Sequence, residues 1–405
     1  MATVAVLGAF DTKGDEFHYL IREIEKRKHK VLRIDFGVLK EPPFQVEVSS
    51  SQVAEAGGVS LTELRRKNER GEAMRVMASG AAKVISGLYR AGKIDGLVAM
   101  GGSGGTSVFL EVARNLPLGF PKVLVSTLAN PASGDALAIH DFVLVPAVVD
   151  LAGLNRISRQ VIHHAAHAIC GMVEGGRNES EEEKPIIAAT MLGNTTPAVE
   201  CARRVFENAG YEVLVFHAIG NGGRTMENLI LGGWIDAVFD LTTVELASEL
   251  VGSAAYSAGP QRLTAAAQKG LPQAVSVGCL DFAIFARPET IPKRYRSRLF
   301  YRWNPETTLM RTTPSENERL GREIAQKLNL SKGSCTVWFP KRGFSQLDIP
   351  GGPFWNPEAD LALLSALQDT FNPLIRLVEM DAQINDSEFA AAMAEKLLED
   401  MRSGT

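Results

Sequence analysis

"IDGLVAMGGSGGTSVFLEVARNL" (Ile94–Leu116) decides the fold. A short apolar run gives way to Gly101-Gly102-Ser103-Gly104-Gly105-Thr106, and an apolar run with helical spacing follows. Strand, glycine turn and helix in that order form the unit of a parallel α/β sheet. The phrase recurs in "TVAVLGAFDTKGDEFHYLIREIEKR" from Thr3, "VLRIDFG" from Val31 and "KVLVSTLANPASGD" from Lys122. It returns in "PIIAATMLGNTTPAVECARRVFENAG" from Pro185, "YEVLVFHAIGNGGRTMENLILGG" from Tyr211 and "IDAVFDLTTVELASELVG" from Ile235. "QAVSVGCLDFAIF" from Gln273, "CTVWFPKRGF" from Cys335 and "PLIRLVEM" from Pro373 complete the series. Continuous Val/Ile/Leu runs alternating with helices predict parallel strands covered on both faces.

Between the two series lies "EGGRNESEEEK" (174–184), which has no large apolar residue and reads as a linker. The expected architecture is therefore two Rossmann-like, doubly wound α/β domains with mainly parallel sheets and an interdomain cleft. The first is a nucleotide-binding domain over residues 1–180, the second an α/β domain over 185–405. A chain of 405 residues is long enough for two cores.

A net charge of −4 argues against a nucleic-acid surface. The one basic stretch, "PKRYRSRLFYRWNP" (292–305), reads as a solvated strand–helix connection or a subunit contact. Cys170, Cys201, Cys279 and Cys335 lie far apart, which suits reduced thiols better than a disulfide or zinc framework. The N-terminal apolar run meets Asp11 and Lys13 at once, so it reads as a strand and not a signal peptide. No run is long enough to span a membrane, and a cytoplasmic location is expected.

In parallel sheets the loops after strand C-termini line the ligand crevice. The glycine loop offers consecutive backbone N–H groups at a helix N-terminus, which favours an anion. It lacks the Gly-Lys-Ser/Thr ending of a Walker loop, and Ser107 stands where the dinucleotide fingerprint needs a glycine. Asp11-Thr12-Lys13-Gly14 ends the first strand, so a lysine could neutralise a phosphate and an aspartate could hold Mg²⁺. The competing reading is a plain N-cap with a solvated lysine. Asp35 ends the second strand, where an acid bonds ribose hydroxyls.

The second half has its own polar rim. Asn194, Arg224, Glu227, Asp281 and Asp348 are expected to converge, with Asp240 and His217 nearby. Arg224 would grip a carboxylate or phosphate, and one acid would serve as base; the competing reading is helix capping. His163 and His167 share a helix face, so a metal is conceivable there, but no zincin pattern follows and an ordinary amphipathic helix is expected.

The blocks "GAFDTKGDE", "MGGSGGT", "STLANPASGD", "GNTTP", "GNGGRTMENLI", "DLTTVELASEL", "SAGPQRLTAAA", "SVGCLDF", "NPETTLMRTT" and "LDIPGGPFWNPEAD" occur in this order. In them the chain resembles the Tm-one-like ATP-binding family, over residue 2 to nearly 375. That resemblance implies two Rossmann-like domains, ATP with Mg²⁺ on the first, and a homodimer or higher homo-oligomer. It implies phosphate contacts from Asp11, Thr12, Lys13, Gly102, Ser103, Gly104, Gly105 and Thr106, with Asp11 toward the metal. "ERGEAM" (69–74) would approach the nucleotide as well. Two functions stay open: an enzyme using ATP on a small anionic metabolite, or an ATP-responsive binding or regulatory protein without turnover.

Overall fold

The computed structural model describes residues 1–128, 141–176 and 184–403. They fall into two compact units, Met1–Ser180 and Glu181–Thr405. The "ANPASGD" end of the block from Lys122 (129–135), and most of the linker, lie outside the described residues.

The first unit runs β1 (Thr3–Gly8), α1 (Gly14–Lys26), β2 (Lys30–Asp35), α2 (Ser50–Ala56), α3 (Leu61–Lys67), α4 (Arg70–Arg90) and β3 (Gly96–Gly101). It continues with α5 (Ser103–Ala113), β4 (Lys122–Ser126), β5 (Val143–Pro146) and α6 (Arg156–Gly175). Helix α6 thus extends into the stretch read as linker. The five strands are parallel in the order β2-β1-β3-β4-β5. β1 lies between β2 and β3, with Leu7 beside both Ile34 and Ala99. This order reverses direction between β1 and β3, and such a switch point opens a crevice at the strand C-termini.

Alternation along β1 explains the two layers. Ala5 and Leu7 pack with α4 and α5 residues such as Met77, Ala81, Val108 and Phe109. Val4 and Val6 pack with Phe17 and Leu20 of α1 and with Ile162 and Ala166 of α6. Both faces are buried, so the strand reads as one apolar run. Each fully buried large apolar side chain here contributes roughly 1.5–3 kcal/mol.

The second unit opens with β6 (Ile186–Met191), α7 (Thr196–Asn208), β7 (Glu212–His217), α8 (Asn221–Leu231), β8 (Ala237–Thr242), α9 (Val244–Val251) and α10 (Ala265–Lys269). Then come β9 (Gln273–Gly278), β10 (Phe282–Phe285), β11 (Phe300–Asn304), β12 (Thr307–Arg311) and α11 (Pro314–Leu328). β13 (Cys335–Pro340), α12 (Pro357–Thr370), β14 (Arg376–Met380) and α13 (Ser387–Ser403) finish the chain. Six strands form a parallel sheet ordered β14-β13-β9-β8-β6-β7. Its switch point, between β6 and β8, repeats that of the first unit.

Two features depart from the sequence reading. "QAVSVGCLDFAIF" is two strands, because Cys279 at φ 60° turns the chain out of β9 before β10 begins. The basic stretch contains β11, the edge of a separate antiparallel sheet ordered β10-β12-β11. Tyr301 and Trp303 on that edge are exposed. Among the described residues no helix is long and apolar enough to cross a membrane.

Candidate functional site

Adjacent strands β1 and β3 bring the Asp11-Thr12-Lys13-Gly14 turn and the glycine loop to the same sheet end. Within the loop the glycines have different reasons. A Cβ on Gly101 would lie 3.0 Å from Gly105 Cα, and one on Gly105 would lie 3.2 Å from Met100 O. Those two let helix and strand approach. Gly102 and Gly104 have more room, meeting only Thr127 Oγ1 at 3.4 Å and the Met74 side chain from 3.3 Å.

Gly102 is the N-cap of α5 and supplies no capping side chain. By contrast Ser49, Ser60 and Asn155 cap α2, α3 and α6 with their own oxygens. The first amides of α5 are thus left without a side-chain acceptor among the described residues, at the positive end of the helix. Thr106 does not face outward freely: its Oγ1 lies 2.7 Å from Ser126 Oγ, which also accepts from the Leu128 amide.

A groove of about 690 Å³ opens beside this helix start. Ser103, Thr106 and Ser107 of α5 line one side, and Gly71, Met74, Arg75 and Ser79 of α4 the other. Arg75 is exposed and, among the described residues, pairs with no carboxylate. The "ERGEAM" segment therefore does border the loop, through Gly71 and Met74.

Three residues expected at the phosphates are engaged elsewhere. Lys13 Nζ donates to the carbonyl of Leu151, which belongs to the α1/α6 layer and not to the α4/α5 layer. Thr12 Oγ1 turns back to Ala9 O at 3.3 Å. Asp11 is buried, accepts from the Leu39 amide at 2.8 Å through Oδ2, and leaves Oδ1 without a hydrogen-bond partner among the described residues. Gly37 packs closely against it, and a Cβ there would lie 2.5 Å from the Asp11 carboxyl carbon.

Asp35 is wholly buried and accepts from the amides of Phe10 at 3.1 Å and Gly37 at 3.0 Å. Burial pushes its carboxyl up to about 6; those two amides oppose the shift, and the Asp11 charge adds to it. Asp35 is thus covered in this conformation, and through Phe10 and Gly37 it joins the segments that follow β1 and β2, while its Oδ2 has no hydrogen-bond partner among the described residues.

In the second unit the acids divide between two buried arginines, Arg262 and Arg311, that no sequence motif marks. Arg262 is wholly buried; its Nη2 donates to Asp240 Oδ1 at 2.7 Å and its Nε to Glu245 Oε2 at 2.7 Å. Glu227 lies 3.5 Å from Arg262 and accepts from the amides of Leu263 at 2.6 Å and Ala265 at 2.8 Å. Glu227 thus holds the start of α10, the capping role weighed against it as base. Burial raises its pKa despite Arg262. Glu245 in turn accepts from Gly220 and Gly223 at the start of α8, at 2.5 and 3.1 Å.

Asp281, Asp348 and Asp360 gather around Arg311 instead. Arg311 Nη2 lies 2.9 Å from Asp360 and 3.5 Å from Asp348, and Ser345 Oγ donates to Asp281 Oδ2 at 2.7 Å. Burial raises all three carboxyls, Asp360 to about 7. Of the five residues expected to converge, three therefore serve internal ion networks. The other two keep open atoms: among the described residues Asn194 Oδ1 and Arg224 Nε are buried without a partner, although Arg224 also donates to Asn221 at 2.6 Å. His217 ends β7 and is exposed.

The model described as "Uncharacterised protein family (UPF0261) N-terminal domain" matches residues 2–178, and its C-terminal counterpart matches 184–401. A UPF0261 protein of Clostridium tetani is 43% identical over 98% of both chains. One from Rhizobium meliloti is 41% identical over 97% of both. The ToMV resistance protein Tm-1(GCR237) of Solanum lycopersicum is 39% identical over 82% of this chain, but over only 45% of its own length. Among solved structures, the Streptomyces glycosyltransferase SsfS6 aligns with 68% of this chain and 82% of its own at 15% identity and a TM-score of 0.21, too slight to support a function.

Proposed function

This chain belongs to the UPF0261 family, and we propose that its N-terminal unit binds the phosphate chain of ATP, with Mg²⁺, at the β1/β3 switch point. The observation that carries the reading is the start of α5. Among the described residues its amides have no side-chain cap and border a groove into which Arg75 brings a positive charge paired with no carboxylate. Backbone amides and helix dipole favour a phosphate there, and a guanidinium adds charge-assisted bonds. A groove of about 690 Å³ suits a nucleotide-sized ligand. The free Oδ1 of Asp11 fits a divalent cation, directly or through water. When bound, that cation would screen the phosphate charge.

Turnover on a small anionic metabolite is the enzymatic extension, supported by the Asn194 and Arg224 atoms that have no partner among the described residues, at the loops after β6 and β7. A regulatory, non-catalytic role is favoured by a different observation: Glu227, Asp281 and Asp348 already answer to Arg262, Ser345 and Arg311. Calorimetry with Mg-ATP should show binding to the wild type and its loss in Gly104→Val, whose side chain would press on Met74 and the groove. Equal affinity in both removes the α5 start from the site. Mass spectrometry of metabolite mixtures incubated with Mg-ATP separates the enzyme from the regulator.

A further inference from the structure

We propose a Zn²⁺ site, separate from the switch point, made by Glu23 of α1 with His163 and His167 of α6. One ligand atom from each residue lies within 4.8 Å of the other two. Among the described residues this is the one grouping of three such side chains. His163 and His167 stand four apart on a helix, so both imidazoles share one face, and their ring centres are 4.2 Å apart. Glu23 comes from a different helix, 140 residues away in sequence, and its Oε2 lies 3.0 Å from His163 Nδ1.

The carboxylate is held in place for this. Its side chain is 6% exposed at the α1/α6 contact, and Lys26 occupies Oε1 at 2.5 Å, which leaves Oε2 facing the histidines. Two imidazole nitrogens and one carboxylate oxygen suit Zn²⁺, whereas Mg²⁺ and Ca²⁺ prefer all-oxygen sets. Bonds of about 2.0–2.2 Å place tetrahedral ligand atoms roughly 3.3–3.6 Å apart, so modest side-chain rotations would close the set. Three protein ligands leave a fourth position for solvent. His163 also lines an open groove of about 580 Å³ with Tyr19, Asn155 and Arg159, which gives the ion an entry path. Arg27 Nη1 stands 3.5 Å from His167 Nδ1, but its charge is answered by Glu174 at 2.5 Å. The bound ion would tie α1 to α6 across the face of the sheet.

The test uses the full chain without a histidine tag, stripped with chelator and titrated with ZnCl₂ by calorimetry, with Co²⁺ absorption as a second readout. One ion per chain is expected, with a Co²⁺ visible spectrum of low coordination number. His163→Ala and His167→Ala should each weaken Zn²⁺ by more than the roughly 10–100-fold that loss of an outer partner costs. Glu23→Gln should do the same. His164→Ala, on a neighbouring position bonded to Gln160 at 2.7 Å, should bind like the wild type. His167 is near the surface, so its variant should fold; circular dichroism checks this. No Zn²⁺ uptake by the wild type, or wild-type affinity in the His163→Ala/His167→Ala double variant, overturns the site.

Discussion

Arg262 Nη2 donates to Asp240 Oδ1 at 2.7 Å in a place where neither side chain reaches solvent. Glu245 and Glu227 join the same guanidinium, so one buried cation answers three carboxylates. Those acids also hold the starts of α8 and α10. The network is therefore a joint between helices as well as an ion pair.

Arg262→Met should destabilise the second unit by about 3–5 kcal/mol, because it strands buried carboxylates. Arg262→Lys should recover little, since an ammonium cannot bridge Asp240 and Glu245 together. Urea unfolding followed by tryptophan fluorescence measures both. A loss under about 1 kcal/mol in Arg262→Met would contradict the joint.

Asp35 gives a pH dependence with a definite sign. Its folded value of about 6 exceeds the ordinary 3.8, so between those values the folded chain keeps a proton that the unfolded chain releases. Its contribution is fully present below pH 3.8 and is lost as pH rises through 6. Asp35→Asn keeps an acceptor for Phe10 and Gly37 and removes the charge. It should stabilise the first unit by about 1–3 kcal/mol at pH 7.5 and by almost nothing below pH 4. Melting curves at the two pH values decide the matter.

Lys13 and Arg75 should separate stability from binding. Lys13→Ala loses the bond to Leu151 O and should cost about 1.5–3 kcal/mol of stability, with the ratio of ATP to adenosine affinity unchanged. Arg75→Ala should leave stability intact and weaken ATP more than adenosine by about 1.5–3 kcal/mol. If the two variants exchange these behaviours, the lysine swings to the phosphates on binding.

Gly343 has φ 121°, and a Cβ there would lie 1.5 Å from Asp348 O. Gly343→Ala should cost at least about 2 kcal/mol and disturb the Asp348–Arg311 contact. Near-UV circular dichroism should report it through Phe344 and Phe354, both buried in this loop region. An unperturbed spectrum and melt would show that the turn can relax.

Much of this molecule was legible from the chain. Repeated apolar runs and glycine turns announce parallel strands, and strand-end positions put Asp11 and the glycine loop in view. Adjacency was less accessible, because nothing local says that Leu7 sits beside Ala99. The arginine counter-ions were missed for a related reason. "PQRLTAAA" looks like a surface turn, and only tertiary folding buries Arg262 under Asp240. The β11 strand escaped because exposed Tyr301, Arg302 and Trp303 break the alternation that a half-buried strand would show. Glu23 gave no hint of His163, since their meeting depends on how two helices share one sheet face.

The ordering of strands along the chain also bears on synthesis. Every strand of the first sheet lies before residue 147, and every strand of the second begins after 185. No strand of one sheet waits for a partner from the other. The Val4–Gly96 pairing joins β1 to β3 across β2 and four helices of the chain, so closing the first sheet is a non-local event. Translation at about 5–20 residues per second leaves tens of seconds or less for the rest of the chain to emerge. All strands of the N-terminal sheet thus leave the ribosome before the first strand of the second, so the two like-ordered sheets present their open edges in sequence and not together.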